Sequence, residues 1–163
     1  GADIASITSA IINDGQDHGG FLYTYAQVCF AMAEGHLRGW SGLAGDAQTW
    51  YELGIASSHA QWGVATADAT AYLGSVAAVS METMAMEKWV ALWLQGYESW
   101  TEWRRLDYPN DISAPAAAIS GTGIPVRHGY GAQTISNNKS NYDAAVALQG
   151  PDTQDTKLWW DTK

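Results

Sequence analysis

A chain of 163 residues fits one ordinary domain and leaves no room for a second of similar size. Hydrophobic residues make up 47% and charged residues only 15%, which excludes a disordered, solvating segment. The formal charge of −9, with its basic residues scattered, argues against nucleic acid and anionic membrane surfaces as partners.

The one cysteine, Cys29, lies in an apolar run, so no disulfide framework or Cys-based metal site can be built. No stretch is apolar for long enough to cross a membrane, and the first residues do not read as a signal sequence. Nine Trp and eight Tyr against two Phe favour rings with a polar edge, which suit cores, interfaces and sugar platforms alike.

In chain order, Asn13, Asp14, Gly15, Gly19 and Gly20 mark a loop before the first strong helix, Phe21 to about Arg38. That helix is apolar on two faces, Phe21, Tyr25, Val28 and Met32 on one and Tyr23, Ala26, Phe30, Ala33 and Leu37 on the other, the pattern of a buried helix. Gly39 stops it, and Asp46 caps a second helix running to about Trp62. The second stripe, Ala47, Trp50, Tyr51, Gly54, Ile55, Ser58 and Trp62, predicts an antiparallel hairpin with the first. Trp50, Leu53 and Gly54 match the opening of a tetratricopeptide repeat, although Ser57 stands where a Tyr belongs.

Residues 66–79 are small and predict a short third helix, after which Ser80 caps a long one from Met81 to about Leu106. Drawn as one wheel, that helix places Glu87, Glu98, Glu102 and Arg105 on a solvated side and Trp89, Trp93, Trp100 and Trp103 together in the core. Trp50 and Trp62 on the second helix are assigned to the core as well. Arg104 projects into the apolar arc, which predicts a buried, structural guanidinium held by a carboxylate or several carbonyls. Tyr108-Pro109 ends the helix, residues 107–136 form a Pro/Gly-rich loop, and a last helix spans about Asn141 to Leu148 before the tail from Lys157 to Asp161. No segment alternates for long enough to make a strand, so the fold class is mainly α.

Catalytic and cofactor chemistry finds little footing. His18, His36, His59 and His128 lack zinc-ligand spacing, Asp14 and Asp17 lack that of a calcium loop, and no metal or cofactor is predicted. Asp17-His18-Gly19-Gly20 has no nucleophile elbow to serve, and Gly121, Gly123, Gly129 and Gly131 fit no phosphate loop. Glu87, Glu98 and Glu102 on the polar side of a helix do not make the inward-facing pair that glycoside hydrolysis needs. Trp40, Tyr108 and Tyr130 sit at helix ends or in loops, where rings are free to meet a ligand, and are the ligand-binding candidates.

Several segments, taken in order, resemble the carboxy-terminal part of SusD/RagB-like nutrient-binding proteins of the starch-binding, outer-membrane-associated branch. Tyr25 to Glu34 resembles the helix A-E-x-x-F-x-x-A-E, with Gln27 in place of the acidic residue. Trp50 to Ser58 is similar to Y-x-x-G-I-x-A-S, Glu87 to Leu92 to q-K-W-i-A-L, and Gly96 to Pro109 to G-x-E-x-W-x-E-x-R-R-x-x-Y-P. Ile124 to Arg127 resembles I-P-x-R, Asn138 to Tyr142 N-x-x-N-Y, and Lys157 to Asp161 the closing K-L-W-W-D.

The resemblance implies a SusD-like scaffold of tetratricopeptide-like hairpins. It implies a cell-surface lipoprotein of the outer membrane, anchored by a lipid outside this chain, that captures an oligosaccharide, or less readily a peptide, for a TonB-dependent, SusC-like transporter. Complete members are much longer, so residues 1–163 are expected to form a single domain, the carboxy-terminal fragment of a larger protein whose early helices and lipid anchor lie elsewhere. Cys29, mid-helix, cannot be the lipidated residue. The motif residues Trp100, Trp103 and Arg104 are expected to serve the fold; the resemblance, with no inward-facing acidic pair in the chain, implies a binding protein and not an enzyme. The competing possibilities are an all-helical glycan-processing enzyme and a scaffold whose ligand site lies in the missing part.

Overall fold

The computed structural model describes residues 20–116 and 123–161. Its helices are α1 (Tyr25–Leu37), α2 (Ala47–Gln61), α3 (Thr66–Leu73), α4 (Met81–Ala91), α5 (Gly96–Leu106), α6 (Ala132–Asn137) and α7 (Lys139–Gln149), and the described residues contain no strand. The mainly-α class stands. The loop assigned to residues 13–20, except Gly20, lies outside the described residues, as do Asp14, Asp17, His18 and Gly121.

Local chemistry sets where the helices begin. Thr24 caps α1 reciprocally: its hydroxyl accepts from the Gln27 N–H, while Gln27 Oε1 accepts the Thr24 N–H at 2.7 Å. Asp46 caps α2 by accepting the Thr49 N–H at 3.0 Å, and Ser80 caps α4 with Thr83 returning the bond. These orphan donors would otherwise face solvent or apolar side chains.

α1 and α2 form the antiparallel hairpin. Phe21 meets Trp62 edge-on at 5.7 Å, Phe30 meets Tyr51 at 6.4 Å, and Gly35 faces the Leu43 side chain, so one helix runs up as the other runs down. α4 closes the other side of the pair, and the core is Ala26, Phe30, Ala33, Tyr51, Ile55, Met84, Ala85, Ala91 and Leu106, with Cys29 fully buried beside it. Gly54 lets α2 approach the Phe30 ring: a Cβ there would lie 2.9 Å from two ring carbons.

Four expectations need correction. α1 is not buried all round, because only the Ala26–Phe30–Ala33 face is inside while Tyr25 is 57% exposed. The long helix is broken: α4 ends at Leu92, whose N–H bonds the Lys88 carbonyl, Leu94 adopts φ +65°, and α5 starts afresh at Gly96. A single wheel therefore cannot describe both halves, and Trp89 and Trp93 point outward instead of joining Trp100 and Trp103. The loop after Pro109 is not wholly irregular, since Ala132–Asn137 is a short helix, and α7 starts two residues before the predicted position.

The fourth correction concerns the acidic side. Glu102 is not solvated; it joins Glu34, Lys88 and Arg105 in an ion cluster between α1, α4 and α5. Arg105 Nη2 donates to Glu34 Oε2 and Glu102 Oε2, each at 2.6 Å, its Nη1 donates to Glu34 Oε1, and Arg38 Nε donates to the same oxygen at 2.7 Å. Lys88 Nζ lies 2.9 Å from Glu102. Burial pushes the Glu34 carboxyl up, but the Arg105 and Arg38 bonds and the Lys88 charge together outweigh it and hold the group at about 2.

Adding a methyl at Gly54 forces the buried Phe30 ring to move, so Gly54→Ala should lower stability by about 1–3 kcal/mol in urea titration, despite alanine's better helix propensity. The Glu34 carboxyl titrates near 4.5 when unfolded and near 2 when folded, so its contribution is complete above about pH 4.5 and is lost as the pH falls toward 2. Urea midpoints from pH 6 to pH 2.5 should fall for the wild type and fall less for Glu34→Gln, which at pH 7 should be about 3 kcal/mol less stable.

Candidate functional site

The helix break at residues 92–95 opens a cleft of about 770 Å³ between the carboxy-terminal half of α2, α3 and the α4–α5 junction. Ile55 and Leu92 form its floor from the core side, and Trp62, Trp89, Trp93, Val90 and Leu94 form its walls. The volume is that of a small-molecule site, and most of its lining is apolar. Trp93 is 57% exposed and Trp89 36%, so each presents much of an indole ring to the opening.

Polar groups lie at one side. The Tyr72 hydroxyl donates to Glu87 Oε1 at 2.6 Å, and the Tyr72 ring stands edge-on to His59 at 5.1 Å. Glu87 Oε1 is used by this bond, and Ser58 and Ser99 complete the polar rim. Behind the wall, His59 Nδ1 and Trp62 Nε1 are buried without a hydrogen-bond partner among the described residues. An unpaired buried donor costs about 1–3 kcal/mol, so this wall gains from any rearrangement that brings a polar partner to it. Accepting the hydrogen bond of the Tyr72 hydroxyl, Glu87 favours the protonated phenol and, with burial and its own charge, pushes it up to about 12.

The three ring candidates from loops do not share one wall. Trp40 is 63% exposed and lies against Gly35. Tyr108 is half-buried and packs on the core, following α5 through the left-handed Asp107. Tyr130 stands edge-on to Tyr142 at 5.5 Å, and its hydroxyl accepts from Gln149 Nε2 at 3.2 Å.

The motif residues form a seam instead. Trp100 Nε1 donates to the Pro125 carbonyl at 2.7 Å and Trp103 Nε1 to the Pro109 carbonyl at 3.0 Å. Arg104 is half-buried rather than enclosed: it lies 3.7 Å from the Trp100 ring centre and 5.1 Å from that of Trp160, with Nη1 donating to the Val126 carbonyl at 2.8 Å. Two indole faces and one carbonyl, with the charge of Asp161 nearby, thus hold the group expected to need a carboxylate or several carbonyls. Arg127, buried, pairs with Asp152 at 3.0 Å and ties the Ile124–Arg127 segment to the stretch after α7. Trp89 and Trp93 were missed because their exposure depends on the helix break, which leaves no mark on an apolar stripe.

Residues 2–131 match the SusD-like family described as starch-binding and associating with the outer membrane. The chain belongs to this family. Among solved structures, it is similar to a SusD-like protein described as Bacteroidetes AC2a (30% identity, TM-score 0.79), covering 88% of this chain and 31% of that one. A SusD homologue from Bacteroides uniformis aligns at 26% identity and TM-score 0.73, covering 85% of this chain and 36% of its own. A chitin-binding SusD homologue from Flavobacterium johnsoniae aligns at 25% identity and TM-score 0.68 over the same shares of the two chains. The SusD-like chain thus spans about a third of the length of these structures. No curated protein matches it.

Replacing Glu87 by Gln removes the charge that holds the Tyr72 proton, so the ultraviolet titration of the tyrosines should lose its component near 12 and gain one closer to the ordinary value of 10.0. A titration curve identical to the wild type would show that the Tyr72–Glu87 bond does not form in solution.

Proposed function

We propose that this SusD-like chain is part of a non-catalytic, glycan-binding protein of an outer-membrane nutrient uptake system. The observation that carries this is the family match over residues 2–131, whose description is starch-binding. The cleft supports it chemically. A pyranose has an apolar C–H face that lies against an indole ring and a rim of hydroxyls that needs donors and acceptors. Trp89 and Trp93 supply the first surface, and Glu87, Ser58 and Ser99 supply the second. Trp40 and Tyr130 remain further stacking positions on the outside, and Tyr108 a contact at the end of α5.

Binding by stacking and hydrogen bonding needs no covalent step. The captured glycan, or less readily a peptide, would pass to a TonB-dependent transporter partner, with the protein held at the cell surface by a lipid outside this chain. Because the chain spans only about a third of the solved relatives, a second possibility is that it carries the scaffold while the principal ligand site lies in the remaining length.

Maltooligosaccharides and chitin oligosaccharides, offered on an array to this chain and to the full-length AC2a SusD-like relative, separate these cases. Binding by both, weakened about tenfold or more by Trp89→Ala with Trp93→Ala in this chain, is the expected result, a loss equivalent to about 1.4 kcal/mol or more. Trp40→Ala and Tyr130→Ala should weaken it less. Binding by the relative alone would support the scaffold role, and the release of new reducing ends would overturn the non-catalytic assignment.

A further inference from the structure

We infer that the cleft at the α4–α5 junction selects glycans that carry protonated amino groups, the de-N-acetylated hexosamines, over neutral sugars. The inference rests on the glycan-binding reading of the cleft and names its substrate class. Among the described lining residues Glu87 is the one charged side chain at neutral pH, and no lysine or arginine joins it. Its Oε1 accepts from the Tyr72 hydroxyl, while its Oε2 has no hydrogen-bond partner among the described residues. A carboxylate oxygen beside a mostly apolar cavity is costly to strip of water unless an opposite charge meets it. Lys88, next along α4, cannot serve, because it is held in the ion cluster with Glu102 and Glu34.

Aromatic rings complete the same wall. Three indoles, Trp62, Trp89 and Trp93, and the Tyr72 phenol line the cavity with Glu87. The face of an indole is electrically negative, and a cation held against it gains most where water is displaced. Ring faces and carboxylate therefore favour one sign of charge in a ligand, and the chain's net −9 acts in the same direction.

Shape and charge together choose the ligand. A metal ion would need several hard ligands, and no group of three is found among the described residues. A lone alkylammonium would leave most of the roughly 770 Å³ unfilled. A hexosamine can lay its C–H face on an indole, turn hydroxyls toward Ser58 and Ser99, and give ammonium donors to Glu87. N-acetylation removes that charge and a glucose hydroxyl never carries it, so both lose the ion pair.

Isothermal titration of the 163-residue chain with tetramers of glucosamine, N-acetylglucosamine and α-1,4-linked glucose tests the inference. At pH 6.5 in 0.15 M salt, charges more than about 8 Å from the ligand are largely screened. The glucosamine tetramer should bind about tenfold or more tightly than the other two. Glu87→Gln, whose amide oxygen can still accept the Tyr72 bond, should erase that preference and change the two neutral tetramers by about twofold at most. Glu98→Gln removes the same charge from an exposed position outside the cleft lining and should leave the preference intact. Equal affinity for all three tetramers would overturn the inference and leave glycan binding standing, whereas binding of none would overturn both. A preference that survives Glu87→Gln would overturn it in favour of the general field of the chain, and an equal loss for all three in that variant in favour of a structural role for Glu87. Tetralysine bound as tightly as the glucosamine tetramer would overturn it in favour of a cationic peptide.

Discussion

The carboxylate of Glu34 is the point on which the helices depend. It sits inside, on α1, and meets Arg105 from α5, Lys88 from α4 and Arg38 from its own helix. Burying a carboxylate costs several kcal/mol, and only near-ideal pairing recovers that cost. Arg105 supplies it with a fork of two donors, a geometry that lysine cannot copy. The cluster adds little net stability beyond a well-packed apolar contact, but it admits one arrangement only. α5 must lie where its Arg105 reaches α1 and its Glu102 reaches α4, and that fixes the rotation of α5 about its own axis.

That rotation decides what the rest of α5 can do. With Glu102 and Arg105 turned inward, Trp100 and Arg104 face the opposite way, toward the Pro125–Val126 carbonyls and the Trp160 ring. The charged letters of three distant motifs thus converge on one cluster, and Trp100 and Arg104, from one of those three, meet the carbonyls of a fourth and the Trp160 ring of a fifth in one seam. Both are devices of the fold. Neither lines the cleft, where the one side chain to side chain hydrogen bond described is that of Tyr72 with Glu87.

What could be read from the sequence follows the range of the interactions. Asp46 and Ser80 announce their helices because a cap is made within three residues, and both helices begin where those residues place them. The α1–α2 hairpin is equally legible from its stripes and short connection. The pairing of Glu102 and Arg105 is not, since a charged residue on the polar side of a wheel looks solvated until a third helix arrives to pair with it. α6, six residues in a stretch punctuated by glycine, carries too few turns to show a period. Of the loop rings, Trp40 has the exposure that its position suggested, while Tyr108 is drawn half inside by the turn at Asp107.

The break between α4 and α5 links the fold to the cleft most directly. Leu94 at φ +65° occupies a conformation that costs a side chain about 1–2 kcal/mol. Nothing in the local sequence demands it: a glycine, Gly96, stands two positions later, and a helix continuing through Leu92 and Trp93 would keep its hydrogen bonds. The reversal buries Leu92 and lets α5 fold back to reach Glu34, so the strain is offset by core packing and the ion cluster. Its by-product is that Trp93 and Leu94 are left outside, beside Trp89 and Trp62, around an open volume. Strain held in place by the surrounding structure thus lies next to exposed rings and unpaired buried nitrogens. On this account the cluster at Glu34 and the cleft at Trp93 have one cause, the turn that no helical wheel contains.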